Sequence, residues 1–142
     1  MTLLLVHAAA TWFMTGLIWF VQVVHYPLFA AAGGAGFAEY SRRHSALTTW
    51  VVAPVMLVEL SAAGLLTFYG GDIPVWMSAA GIVLLAVIWL STFLLQVPRH
   101  ERLARGFDAA AHAGLVSTNW IRTSAWTARA VLSLAMISGG YR

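Results

Sequence analysis

The chain has 142 residues, of which 61% are hydrophobic and 9% are charged, and its net charge is +3. A soluble domain of this length carries far more charged surface, so the composition indicates one small integral membrane domain, and the few scattered arginines exclude a nucleic-acid-binding face. The chain has no cysteine, which excludes disulfides, thiolate metal ligands and covalently attached c-type haem, and no lysine, which excludes a Schiff-base site.

Four apolar segments of the chain are long enough to cross the hydrocarbon core of a bilayer, which is about 30 Å thick. They span roughly residues 3–26, 46–69, 75–97 and 117–138. The first segment has no basic flank, and a second span follows without an obvious cleavage site, so we interpret it as a retained helix rather than a signal peptide. The sequence therefore predicts an all-α integral membrane four-helix bundle that forms a single domain over residues 1–142.

The connections between these segments contain recognisable helix boundaries. Pro27 is expected to end helix 1, because the residue before a proline resists helical geometry. Residues 37–44 are expected to form a short interfacial helix before the second span. Asp108 is suited to N-capping, so helix 4 is expected to start near residue 109, outside the membrane, and to continue through it.

The arginines outside the spans are distributed unequally between the two ends of the bundle. At the end of the bundle opposite the first and third connections, the only arginine is Arg142. Because basic loops are retained in the cytoplasm, the first and third connections are expected to be cytoplasmic and both termini periplasmic, as in a multi-pass inner-membrane protein. The arginines of these two connections are Arg42, Arg43, Arg99, Arg102 and Arg105.

Each apolar segment carries one stripe of polar side chains at helical spacing. Polar and ionisable groups are costly against lipid, so these stripes are expected to face the bundle interior and to mark a site between helices. The stripes consist of His7, Thr11, Gln22 and His25 in helix 1; His44, Thr48 and Glu59 in helix 2; Thr92, Gln96 and His100 in helix 3; and His112, Asn119, Arg122 and Arg129 in helix 4.

Counting residues from the cytoplasmic end, at about 1.5 Å per residue, divides these side chains into two layers. Glu59 and Arg129 lie at nearly the same depth near mid-membrane, and they are predicted to form a structural ion pair, because neither charge is tolerable there alone. His7 stands apart near the outer face and is interpreted as a packed or interfacial residue. The other layer lies near the cytoplasmic face and consists of Gln22, His25, His44, Gln96, His100, Asn119 and Arg122.

The cytoplasmic layer is the candidate site, and two kinds of chemistry fit it. His25, His44 and His100 would bind a metal (Cu, Fe or Zn) or haem b, since imidazoles from facing helices suit these groups, although the chain has no His-x-x-x-His or Glu-x-x-His spacing. Alternatively, His100, Asn119 and Arg122 would be catalytic and polarise a flat oxygenated molecule such as a quinone or phenol. The residues assigned to cofactor binding are Gln22, His25, His44 and Gln96.

Several short segments form a set: VQVVHYPLF at 21–29, YSRRH at 40–44 followed by PVM at 54–56 and Glu59, VPRHERL at 97–103, and NWIRT at 119–123. This set resembles a family of small bacterial four-helix membrane proteins of unknown function. That family is distantly similar to anthrone-oxygenase-like membrane proteins, which share a proline–polar–leucine motif after helix 3 and an Asn/His-x-x-Arg motif in helix 4. The resemblance implies an oxygen- or quinone-linked oxidation of an aromatic substrate. The matching positions are His100, Leu103, Asn119 and Arg122.

Arg42 and Arg43 at the entry to helix 2, the Pro54-x-Met56 spacing and the early His7 form a second pattern. This pattern has a weaker resemblance to HemJ-type protoporphyrinogen oxidases, which have a similar length and four helices. The lysine expected in that family is absent here, which argues against that activity and leaves haem binding open.

These observations lead to two main hypotheses. The first is a membrane-embedded oxidoreductase that acts on a hydrophobic, aromatic or quinone-like substrate arriving laterally from the lipid. The alternative is a non-catalytic accessory subunit or scaffold of a larger membrane complex, in which the polar stripes fix helix packing. A proton or small-solute carrier using Glu59 and His7 is a third option, but the sequence lacks the repeats or paired broken helices of many transporters. The expected partners are the bilayer and a hydrophobic small molecule, with a homo-oligomer as a further possibility.

Overall fold

The computed structural model describes residues 1–32, 34–71 and 73–139, and within these ranges the regular secondary structure is entirely helical. Arg142, which contributes to the predicted orientation, lies outside the described residues. The four helical units are numbered in chain order: α1, Thr2–Ala32; α2, Phe37–Tyr69; α3, Val75–Leu103; and α4, Ala109–Gly139. The α1–α2 and α3–α4 connections lie at one end of the bundle, which we call the arginine-rich end.

Three of these units, α1, α2 and α3, are long enough and apolar enough to cross a membrane. The fourth, α4, is equally long but less apolar, because its buried face carries a run of polar side chains. Its outer face nevertheless exposes Trp120, Ile121, Val131 and Leu134. Large apolar side chains are also exposed along the other three helices, as expected for surfaces that contact lipid.

The helices form an antiparallel ring in the order α1, α2, α3, α4. α1 packs along both α2 and α4, and α3 packs along α4, whereas the contact between α2 and α3 is the least extensive of the four. Within a membrane, helices associate by van der Waals packing and interhelical hydrogen bonds rather than by exclusion of water. The weakly packed α2–α3 seam therefore marks the side of the bundle where space is left between helices.

Two π turns interrupt the helices, and each immediately precedes a proline. Val21–His25 forms the first, before Pro27, and Thr92–Gln96 forms the second, before Pro98. A proline lacks an N–H and clashes with the carbonyl four residues earlier, whereas the wider i→i+5 pattern of a π turn displaces that carbonyl. The prediction that Pro27 ends helix 1 is therefore wrong, and the helical unit continues to Ala32.

Two other helix boundaries also differ from expectation: α3 continues past residue 97 to Leu103, and α2 begins earlier than predicted. The expected interfacial helix over 37–44 is instead the beginning of α2, which runs unbroken from Phe37 to Tyr69. Phe29 and Phe37 are both fully buried and pack edge-to-face, which fixes the α1–α2 connection against the bundle. α4 begins at Ala109 as predicted, and the Asp108 carboxylate accepts the Ala111 N–H at 2.8 Å as an N-cap.

Glu59 and Arg129 form an ion pair in the middle of the bundle. Arg129 Nε donates to Glu59 Oε1 at 2.9 Å, and the two side chains are 1% and 0% exposed. The carboxylate also accepts hydrogen bonds from the Thr11 hydroxyl at 2.9 Å and from the Trp126 indole N–H at 3.0 Å. A buried ion pair is stable only when further hydrogen bonds satisfy its remaining lone pairs and protons, and this pair meets that condition.

His7 contacts this ion pair, contrary to the prediction that it stands apart. Arg129 NH2 lies 3.1 Å from His7 Nε2, and its NH1 donates to the carbonyl of Gly81. Because α1 runs antiparallel to α4, the start of α1 reaches the depth of Arg129, and counting from the far end of helix 1 did not reveal this. We call His7, Thr11, Glu59, Trp126 and Arg129 the mid-bundle cluster, and with Gly81 it joins all four helices.

Replacing Glu59 with glutamine tests the mid-bundle cluster. The substitution leaves the Arg129 charge buried without a counter-charge, so we expect a loss of about 3–5 kcal/mol in the free energy of unfolding. The measurement is denaturant or thermal unfolding of the purified protein in detergent, followed by circular dichroism. Arg102→Gln, which removes one charge at an exposed position, is the control and should unfold like wild type. Equal stability of Glu59→Gln and wild type would contradict the assignment.

Candidate functional site

Two glutamines tie the π turns to α4. Gln22, in the first π turn, donates from Nε2 to the Val116 carbonyl at 3.2 Å, and its Oε1 accepts the Asn119 amide at 2.9 Å. Gln96, in the second π turn, donates from Nε2 to the Thr118 hydroxyl at 2.9 Å. The two π turns are therefore fixed at neighbouring positions along α4, near the arginine-rich end of the bundle.

Three histidines meet beside the first π turn. His25 Nε2 and His44 Nδ1 are 2.9 Å apart, and the Thr48 hydroxyl lies 3.2 Å from the same His44 nitrogen. The His44 and His100 rings are centred 5.8 Å apart, and the fully buried Phe29 ring lies edge-on to both. A hydrogen bond between two imidazoles requires one nitrogen to donate and the other to accept, so His25 and His44 share a proton between them.

His100 is oriented by Tyr26. The Tyr26 hydroxyl lies 2.9 Å from His100 Nε2, while the other ring nitrogen, Nδ1, is buried and has no hydrogen-bond partner within the described residues. Tyr26 is itself held in place by His112, which lies outside the group of three histidines. The His112 Nε2 hydrogen-bonds to the Tyr26 carbonyl at 2.7 Å. The His100 ring is therefore held through Nε2, and its other nitrogen, Nδ1, is left for a ligand.

Arg122 lies one turn deeper than Asn119 and is 7% exposed. Its guanidinium stacks over the Trp126 ring at 5.2 Å from the ring centre, and NH1 reaches the Asn119 side-chain oxygen at 3.4 Å. Its Nε is buried and has no partner in the described part of the chain. Trp126 thus contacts Arg122 through its face and Glu59 through its N–H, which connects the mid-bundle cluster to this layer.

A cavity of about 530 Å³ lies between α1, α2 and α3, and Arg122 of α4 also lines it. This volume is within the usual range for small-molecule sites, which is roughly 300–1,000 Å³. The walls include Met14, Ile18, Met56 and Trp89, so most of the lining is apolar. Phe93 also lines the cavity and is exposed on the outer surface, which places the opening at the weakly packed α2–α3 seam.

Buried polar atoms without a partner concentrate around this cavity. Such atoms are rare in folded proteins, and each requires an explanation such as a ligand or an ordered water. Among the described residues, five of the seven side-chain atoms of this kind belong to residues that line the cavity. They are Ser45 Oγ, Trp89 Nε1, Gln96 Oε1, His100 Nδ1 and Arg122 Nε.

The structure divides the predicted cytoplasmic layer into three groups. His44, Gln96, His100 and Arg122 line the cavity. Gln22 and Asn119 instead bond each other behind it, and His25 lies on the outer side of His44 in a surface groove.

Sequence reasoning did not assign Tyr26, Ser45 or Trp89 to the site, although all three line the cavity. Tyr26 follows the π turn, which adds a residue to the helical repeat and so moves Tyr26 onto the inner face. Trp89 resembles an interfacial tryptophan by composition alone, and Ser45 lies next to His44 without a pattern of its own. The one feature of the sequence that could have indicated Tyr26 is its position directly before a proline.

The three histidines do not fit a metal centre. No group of three or more His, Asp or Glu side chains in residues 1–32, 34–71 and 73–139 is arranged to hold a metal ion. The nitrogens of His25 and His44 face each other, and His100 Nε2 faces Tyr26, so the imidazoles do not point at a common position. The predictions of a bound metal or haem have no support in this arrangement, and we derive no chemistry through either group.

Comparison of the chain with protein-family models, with curated proteins and with solved structures finds no match. The resemblances suggested by the short sequence segments therefore stay predictions. The function of the protein is inferred below from the cavity and the side chains around it.

Single cysteines test the cavity, because the natural chain contains none. Ser45 lines the cavity, whereas Ser41, one turn earlier on the same helix, is 0% exposed and does not line it. We expect Ser45→Cys to react with a small methanethiosulfonate reagent and Ser41→Cys to stay unmodified, as measured by mass spectrometry of the protein in detergent. Equal labelling of the two variants would show that the cavity is not open to small molecules.

Proposed function

We propose that the protein is a membrane-embedded oxidoreductase that oxidises a flat, hydroxylated hydrophobic molecule, of the quinol or phenol class, inside the cavity. The observation that carries this proposal is the set of unpartnered buried polar atoms on residues that line a largely apolar cavity. An apolar body with polar oxygens at one end would satisfy both features. The opening at the α2–α3 seam would admit such a molecule directly from lipid.

His100 is the proposed general base. When Nε2 donates to the Tyr26 oxygen, Nδ1 is an acceptor without a partner, on a residue that lines the cavity, and it would take the proton of a substrate hydroxyl. Arg122 would stabilise the negative charge that develops on the substrate oxygen, as a buried donor in a water-poor site does effectively. Asn119 would orient the Arg122 guanidinium through the NH1 contact.

The overall reaction must also balance its electrons. A quinol gives up two protons and two electrons on becoming a quinone, and dioxygen can accept both to give hydrogen peroxide. Dioxygen dissolves in the bilayer and would reach the site along the same path as the substrate. This scheme agrees with the oxygen-linked chemistry that the resemblance to anthrone-oxygenase-like proteins implies.

The alternative function, a non-catalytic accessory subunit, accounts for part of the structure. Fully satisfied contacts such as Gln22–Asn119 and Glu59–Arg129 serve helix packing without any ligand. A packing role does not account for the unpaired atoms of Gln96, His100 and Arg122, because leaving buried polar atoms unpaired weakens packing. The oxidoreductase is therefore the better supported proposal.

The proposal for catalysis predicts a specific loss in His100→Gln. Removing a general base lowers the rate by about 10²–10⁴-fold, with a smaller change in substrate affinity. The measurement is oxygen-dependent oxidation of 1,4-naphthohydroquinone by the protein in nanodiscs, corrected for the protein-free rate. Arg102→Gln is the control, since Arg102 is exposed and does not line the cavity. A rate in His100→Gln equal to that of wild type would rule out the assigned base.

We further propose that all four helices cross a bacterial inner membrane with both termini in the periplasm. The apolar outer face of α4 supports its crossing, because its polar residues are buried against the other helices. The five arginines at the arginine-rich end support a cytoplasmic location for that end.

Cysteine accessibility tests this orientation. Arg105→Cys lies at the arginine-rich end and Val75→Cys at the other, and both positions are exposed. In intact cells, a membrane-impermeant maleimide should label Val75→Cys, and Arg105→Cys should be labelled only after the cells are broken. The opposite pattern would invert the proposed topology.

A further inference from the structure

Arg122 is a buried cation without a carboxylate partner in the described part of the chain. Over residues 1–32, 34–71 and 73–139 the ion pairs are Arg42–Glu39 and Arg129–Glu59. The Glu59 carboxylate accepts its hydrogen bonds from Arg129, Thr11 and Trp126, and none of them comes from Arg122.

The other acidic side chains in the described ranges lie elsewhere. Asp108 caps the start of α4, and Glu101 is exposed and lines the cavity near the arginine-rich end. Neither forms an ion pair with Arg122, which lines the same cavity. The described residues thus leave one buried positive charge beside a largely apolar cavity.

The contacts that Arg122 does make are neutral. The Trp126 ring, the Tyr26 hydroxyl and the Asn119 oxygen each offer only partial negative charge, and the Asn119 contact is long, at 3.4 Å. A guanidinium is always charged in proteins, so burial cannot be relieved by loss of the proton. An uncompensated charge in a low-dielectric site costs several kcal/mol, and such charges in membrane helices normally pair with an opposite charge.

We propose that the ligand of the cavity supplies this missing charge and is an aromatic carboxylate that carries a neighbouring hydroxyl group. This proposal rests on the proposed function, since it takes the cavity as the ligand site. The carboxylate binds at the free Nε–H edge of Arg122, and the ring lies between Trp89 and the methionines of the cavity wall.

The neighbouring hydroxyl follows from the other unpaired atoms. Gln96 Oε1 is an acceptor that is 1% exposed, and His100 Nδ1 is the proposed proton acceptor. A hydroxyl beside the carboxylate donates to one of these two atoms while the charge stays at Arg122. The site is thereby selective for anions, whereas a simple quinone pocket would bind uncharged ligands equally well.

Calorimetric titration of the purified protein in detergent tests this selectivity with two ligands of the same shape. The probes are 1-hydroxy-2-naphthoate, which is anionic, and 1-hydroxy-2-naphthamide, which is uncharged. For wild type we expect the carboxylate to bind roughly 10- to 100-fold more tightly, the difference expected for hydrogen bonds to a charged group. In Arg122→Gln the ratio of the two affinities should fall to near one, with the amide still bound.

Two further variants complete the test. Arg102→Gln removes an exposed charge at the same end of the chain and should keep the wild-type ratio. Arg122→Lys keeps the charge but loses the planar fork, so it should retain a reduced preference, and it replaces Arg122→Gln if that variant fails gel filtration.

The outcomes separate the two proposals. Equal binding of the carboxylate and the amide by wild type would overturn the anionic ligand while leaving the proposed function intact. Binding of neither probe would overturn both. An unchanged preference in Arg122→Gln would show that another group, and not Arg122, selects the anion.

Discussion

The ion pair between Glu59 and Arg129 is the constraint on which the rest of the bundle depends. Its two charges are stable in an apolar interior only while hydrogen bonds from the other helices reach them, and those bonds come from Thr11, Trp126 and His7. The pair therefore fixes the axial position of α1 and α4 relative to α2. Trp126 connects the ion pair to the layer near the arginine-rich end. Its ring also supports the Arg122 guanidinium, which lines the cavity.

The cavity itself follows from how polar contacts are divided among the helix pairs. α4 receives a glutamine from each π turn and the ion pair of Arg129, and α1 packs closely on both its neighbours. Between α2 and α3, Arg42 donates to the Ala104 carbonyl just beyond α3, and this helix pair is the least packed. The bundle is thus held firmly on three sides, and the space between helices opens on the fourth, where lipid is adjacent.

Counting depth along ideal helices predicted a good part of this arrangement. It placed Glu59 level with Arg129 and brought His25, His44 and His100 to one end, because antiparallel spans of known length fix depth. The count did not allow for the π turn that begins at Val21. This turn changes the helical phase and lets Pro27 continue the helix, so Tyr26 was not recognised as an inward-facing residue. His7 was misplaced for a different reason: its partner is decided by the packing of α1 on α4, and no local pattern encodes that contact.

In this protein, the sequence alone does not distinguish the polar residues that fix helix packing from those that are available to a ligand. Gln22 and Gln96 each lie in a π turn that comes before a proline, and each donates its amide N–H to α4. The sequence gives no reason to treat them differently. In the structure Gln22 Oε1 accepts hydrogen bonds from Asn119 and Thr123, whereas Gln96 lines the cavity and its buried Oε1 has no partner among the described residues. Only the second oxygen is left for a ligand, so hydrogen-bond satisfaction, rather than residue type or spacing, locates the site.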